Sequence, residues 1–145
     1  MSKRKRSFII ALILFLFAAG FYPLCLRLIA QIYYQKAVNY AKDGNYLPAI
    51  KDLEKAVHFQ ADNPLIWKRL GEAYHNLGKL QSVKEGFAIA EKAKEAYLKA
   101  AEAYGKAGKL SIAKDYYHKA MDLDPKNKDY RKRYDAIQKR LAFDD

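Results

Sequence analysis

The chain has one cysteine, Cys25. A lone cysteine allows no disulfide within the chain and no cysteine-based metal site. Histidine is scarce too. His58, His75 and His118 are scattered, with no His-x-x-x-His pair to set two metal ligands on one helix face. No glycine-rich phosphate loop occurs. After the N-terminal region only Ser82 and Ser111 remain, and neither has the Gly-x-Ser-x-Gly context of an activated nucleophile. Glu91 and Glu95 lie one helical turn apart, but flanking lysines suit a solvated face. These absences argue against an enzyme, and no metal or cofactor is expected. A basic stripe is also missing. The net charge is +11, of which Lys3, Arg4, Lys5 and Arg6 carry four. The remainder is spread among interleaved acids, whereas nucleic-acid binders gather Lys and Arg on one face. Nucleic acid is therefore not an expected partner. An acidic protein or a membrane surface stays open.

What the chain does have is a spacing. Tyr40, Gly44, Tyr46, Ala49, Leu53 and Ala56 return as Tyr74, Gly78, Leu80, Val83, Phe87 and Ala90. They return again as Tyr104, Gly108, Leu110, Ala113, Tyr117 and Ala120. A period of this size marks a helical solenoid. In the middle unit Trp67, Leu70, Gly71, Ala73, Tyr74 and Leu77 share one helical face. Gly78 is expected to stop that helix, because glycine takes the left-handed cap conformation at no steric cost. Leu80, Val83, Phe87 and Ala90 would line a second helix. One hairpin cannot bury such a face alone and must stack on its neighbours.

These residues resemble the tetratricopeptide repeat family. Trp67, Leu70-Gly71, Tyr74, Gly78 and Phe87 fit its Trp-x-x-Leu-Gly-x-x-Tyr opening and later positions. Tyr97, Ala100-Ala101, Tyr104, Gly108, Ala113, Tyr117, Ala120 and Pro125 repeat the pattern, closed by an Asp-Pro turn. Tyr33, Lys36-Ala37, Tyr40, Gly44, Tyr46, Ala49, Leu53 and Ala56 form the first copy, with Asn63-Pro64 opening the next. The resemblance implies an all-α fold with three hairpins over 29–127, at about 30–63, 64–93 and 94–127.

The second step is four residues short. No Gly, Pro, Asn or Asp lies between Phe87 and Tyr104, and Phe87, Ala90, Lys94, Tyr97, Ala101 and Tyr104 keep helical spacing throughout. Either a tight turn falls near Glu91 to Lys94, or residues 80–107 form one long helix. The rarity of uncapped helices of that length favours the tight turn. The long helix would invite exchange between chains and self-association through residues 80–107. After Asp124-Pro125, Tyr130, Tyr134, Ile137 and Leu141 form a narrow apolar stripe amid Arg131, Lys132, Arg133, Lys139 and Arg140. Residues 128–145 are read as a capping helix and tail with one polar face.

The N-terminus is a separate piece. A basic stub, residues 1–7, precedes Phe8 to Leu26, which contains no charged residue. Nineteen helical residues span about 28 Å, close to a bilayer core of about 30 Å. Residues 8–28 are read as a single transmembrane helix. The alternative is a signal peptide covering residues 1–20 and cut before Phe21, which would release a secreted carrier or assembly chaperone. The apolar run continues past Gly20 through Leu26 and on to Ile32. That exceeds the usual signal core and favours the anchor. A lipoprotein signal ending at Cys25 is discounted, because Leu24 is too bulky before it. The basic cluster keeps the N-terminus cytoplasmic. The repeats then lie outside, in the periplasm if the cell is bacterial. Ala18, Ala19 and Gly20 are small enough to let a partner's membrane helix approach.

By position in the resembling family, first helices line a concave groove. That surface would take Tyr34, Val38 and Lys42 from unit one, with Gln31. It would take Leu65, Lys68, Glu72, His75 and Asn76 from unit two, and Leu98, Glu102 and Lys106, with Glu95, from unit three. Some members hold a peptide carboxylate with a Lys-Asn clamp. Tyr34 and Val38 occupy those places here, so chaperone tails are not the expected ligand. The expectation is a membrane-anchored interaction scaffold, an accessory or assembly subunit of a larger membrane complex. Tethering raises the effective concentration of such a binder near its partners.

Overall fold

The computed structural model describes residues 3–80 and 83–144, with side chains for 20–80 and 88–143. Six helices make up the described residues: α1 (Lys3–Lys42), α2 (Tyr46–Phe59), α3 (Pro64–Leu80), α4 (Val83–Lys106), α5 (Leu110–Leu123) and α6 (Lys128–Asp144). The fold is an all-α, tetratricopeptide-like solenoid. Each helix packs chiefly on the next along the chain, and α1 also reaches α3.

Local chemistry sets the helix ends. Gly44 and Gly108 take φ of 74° and 73°. Behind them Asn45 N–H donates to Tyr40 O at 2.9 Å, and Lys109 N–H donates to Tyr104 O at 3.0 Å. This left-handed glycine cap closes α1 and α4. Leu65 N–H donates to Asn63 Oδ1, and Asp129 N–H to Asn127 Oδ1, each at 3.0 Å. Asn63 and Asn127 thus cap α3 and α6. Trp67 Nε1–H donates to Ala61 O at 2.7 Å, which ties the α2–α3 turn to α3.

Two expectations fail here. Gly78 does not stop its helix: α3 runs on to Leu80, which is 69% exposed instead of lining a second helix. The tight turn near 91–94 is absent, and α4 passes through it for 24 residues. The cause is local. Ala88, Ala90, Ala93, Ala96, Ala100 and Ala101 favour helix, and nothing among them punctuates it. The side chains of Val83 and Phe87, expected to line the second helix, lie outside the described residues.

The long helix changes the frame of the solenoid. α3 and α4 pack side by side. Gly71 meets Tyr97 so closely that an added Cβ would stand 2.6 Å from two ring carbons. Beyond α5, α6 packs Tyr130, Tyr134 and Ile137 on the second core.

The core forms two clusters. The first gathers Ala30, Ala37, Ala49, Ile50, Leu53, Ala56, Ile66, Leu70, Ala73, Tyr74 and Leu77. The second centres on Tyr97, Tyr104, Ala113, Tyr116, Tyr117 and Ala120. Alanines let helix axes approach, and the tyrosine rings fill the space between them. Asp52, 5% exposed, is held by Lys36 at 3.6 Å and Lys55 at 3.7 Å. Lys94 reaches both Glu91 and Asp124, at 3.4 Å for the latter, and fastens α4 to the end of α5.

Among the described residues no helix is long and apolar enough to cross a membrane. The span expected at 8–28 and the basic stub at 1–7 fall largely on residues whose side chains lie outside the described ones. So do Ala18 and Ala19, expected to meet a partner helix. Gly20 is exposed, with no atom within 4 Å of an added Cβ. The backbone of α1 runs unbroken from Lys3 past Pro23 to Lys42, about 60 Å at 1.5 Å per residue.

Candidate partner-binding groove

The first helix of unit one and α3 run side by side. Val38, Ala41 and Lys42 of α1 face Arg69, Glu72, Ala73 and Asn76 of α3 across a pocket of about 210 Å3, with Tyr46 and Leu53 of α2 at its base. A second pocket, of about 310 Å3, continues from it. Glu72 and Asn76 belong to both, joined here by His75, Tyr97, Lys119, Asp122 and Leu123. Together they make one groove along α1, α3 and α5.

The groove is built on ring contacts. Tyr104 and Tyr116 stack with centroids 5.6 Å apart and planes 8° apart. Tyr97 lies 6.0 Å from Tyr116 and 6.5 Å from His75. Lys119 Nζ sits 4.7 Å from the Tyr116 centroid and 5.6 Å from that of Tyr97. Such contacts hold a lysine head in place without an anion. Arg69 Nη1 donates to Glu72 Oε2 at 3.0 Å. The Tyr34 hydroxyl, first, and Glu72 raise the Arg69 pKa against the opposing effect of burial.

Burial, first, and the nearby Glu72 push the Tyr97 phenol up to about 12. Burial also raises Tyr104 and Tyr116. His75 goes the other way: burial, then Lys79 and Lys119, lower its pKa. The acids of the groove are engaged, Glu72 with Arg69 and Asp122 with His118 at 3.2 Å. Glu72 and His75 share a wall, but among the described residues no group of three or more His, Cys, Asp or Glu side chains stands close enough to hold a metal ion.

The structure brings together Val38, Lys42, Glu72, His75 and Asn76 of the expected surface. Tyr34 is half-buried beside Arg69. Leu65, exposed, and Lys68 line neither pocket. Unit three is where the expectation breaks. Glu102 and Lys106 line a depression with Asp62 and Trp67, on the opposite side of α3 from Arg69. Glu102 pairs there with Arg133 of α6 at 3.0 Å. Leu98 packs into the second core. The continuous α4 is the reason. It runs antiparallel to α3 as an outer helix, so α5 supplies the third inner wall. Sequence reasoning therefore missed Tyr97, Lys119 and Asp122. The unbroken helical spacing from Phe87 to Tyr104 was the signal that pointed to them.

A tetratricopeptide repeat family model matches residues 30–63 and 94–127. These two segments are similar to tetratricopeptide repeats. Several solved structures of tetratricopeptide domains are similar to it. The first such domain of Spaghetti (RPAP3), bound to an HSP90 peptide, is 24% identical, with 80% of this chain and 95% of that chain covered and a TM-score of 0.37. The first domain of human RPAP3 is 25% identical over 79% and 93%, at a TM-score of 0.36. The Arabidopsis OM64 domain is 16% identical over 79% and 98%, at 0.38. A search of curated proteins found no match. Tetratricopeptide repeats form a protein–protein interaction scaffold, typically without catalysis.

Proposed function

We propose that the chain is a membrane-anchored scaffold that holds a segment of a partner protein in the α1, α3 and α5 groove, as an accessory or assembly subunit of a larger membrane complex. The observation that carries this reading is the joined pair of pockets sharing Glu72 and Asn76. Apolar floors at Ala37, Ala41 and Leu53 suit a partner's aliphatic or aromatic side chain. Lys42 and Lys119 form no ion pair among the described residues and would orient the segment. The uncharged run from Phe8 to Leu26 supports the anchor, and Lys3 to Arg6 support a cytoplasmic N-terminus with the repeats on the far side.

The test is purification of the full-length protein from its native membrane in mild detergent, with mass spectrometry of what co-elutes. A stoichiometric membrane complex, lost when Asn76→Arg and Lys119→Glu block the groove, is the expected result. A protein that elutes alone from the membrane overturns the subunit role. A soluble form beginning at Phe21 overturns the anchor and favours the secreted carrier.

A further inference from the structure

The helix α1 has two faces. Ala30 and Ala37 are fully buried in the first core. The other side carries Cys25, Leu28, Ile32, Gln35 and Asn39, at steps of three, four, three and four. At about 100° per residue these five fall within about 40° of one line, roughly opposite Ala30 and Ala37. Leu28 and Ile32 are 56% and 66% exposed, and Leu24 beside them is 51% exposed. Gln35 and Asn39 are exposed as well. This seam is separate from the groove, whose α1 residues Val38 and Lys42 lie to one side.

We propose that this seam pairs with the same seam of a second copy, as a parallel two-helix coiled coil. Three features select that occupant. The three-four spacing is the period at which two helices keep one seam in contact. The seam ends on a polar Asn39 at the same register as Cys25 and Ile32, and one buried asparagine at such a position favours a parallel, in-register pair. The third feature is charge. The chain carries +11, so most of its surface repels a copy of itself. Between Gly20 and Gln35 the one charge is Arg27, which lies off the seam. Of the flanking positions, Leu24, Ile29, Gln31 and Val38 carry no charge, and Lys36 is paired with Asp52 at 3.6 Å. Dimerisation would give a complex two grooves on one stalk and raise its avidity for a repeated partner.

Cys25, the chain's one cysteine, makes the test direct. A disulfide forms when Cα atoms come within about 7 Å. Full-length protein in native membranes, treated with a mild oxidant, is expected to run as a covalent dimer through Cys25. In a Cys25→Ser background, Leu28→Cys and Ile32→Cys should restore the dimer band, and Arg27→Cys should not. Absence of a dimer at every seam position overturns the proposal. So does equal crosslinking at Arg27→Cys, which is the pattern of a helix that merely collides in lipid. A crosslink from Cys25 to a different protein also overturns it, because another chain then occupies the seam.

Discussion

Gly71→Ala offers the sharpest probe of the continuous α4. Gly71 sits inside α3, and alanine at an ordinary helix interior would stabilise by about 1 kcal/mol. Here the new methyl would stand 2.6 Å from Cδ1 and Cε1 of Tyr97. The ring cannot swing aside, since Tyr116 and His75 pack against it. Overpacking of this kind costs about 1–3 kcal/mol, and the rigid neighbours place it near the top of that range. The net expectation is a loss of about 2 kcal/mol. In a Tyr97→Ala background the obstacle is gone, and the same substitution should stabilise by about 1 kcal/mol. Urea unfolding followed by far-ultraviolet circular dichroism, in mild detergent, measures both arms. A helix broken near 91–94 would carry Tyr97 away from Gly71. Stabilisation by Gly71→Ala in the otherwise unchanged protein would therefore refute the α3–α4 hairpin.

Three further outcomes follow from the packing. Leu53, 1% exposed, fills the centre of the first core, and Leu53→Ala should cost about 3–5 kcal/mol in the same unfolding assay. His75 has a lowered pKa, so the folded chain resists its protonation. Stability is then full above its ordinary value of about 6.5 and falls as pH drops below that, and His75→Gln should flatten the slope of urea midpoint against pH between about 7.5 and 5. Tyr97, raised to about 12, works in the opposite sense. The unfolded phenol ionises first, so stability should fall above about pH 10, and Tyr97→Phe should reduce that loss in alkaline unfolding curves.

The helical class and much of the packing could be read from the chain. Leu70, Gly71, Ala73, Tyr74 and Leu77 were legible as one buried face because three- and four-residue spacing projects directly onto a helix. Gly44 and Gly108, at the repeat positions that match Gly78, do stop their helices, and both take positive φ. Gly78 has the same sequence role and a different outcome. A glycine permits a cap without compelling one, and α3 runs on past Gly78 to Leu80. The groove was half legible. Val38, Lys42, Glu72 and Asn76 follow from the side-by-side first two units. Lys119 and Asp122 did not, because helix continuity through 91–94 decides which helices face inward. That continuity rests on the sum of α4's alanine-rich propensity and its contacts with α3, and no single residue announces it.

Site-specific photocrosslinking tests the central claim most directly. A photoreactive residue would replace Asn76 or Lys119 in the groove, or Glu102 or Lys106 on the outer face, in full-length protein in its native cells. The account predicts that Asn76 and Lys119 capture the same partner protein and that Glu102 and Lys106 do not. Capture at Glu102 and Lys106, with none at Lys119, would contradict both the groove and the arrangement of helices that builds it.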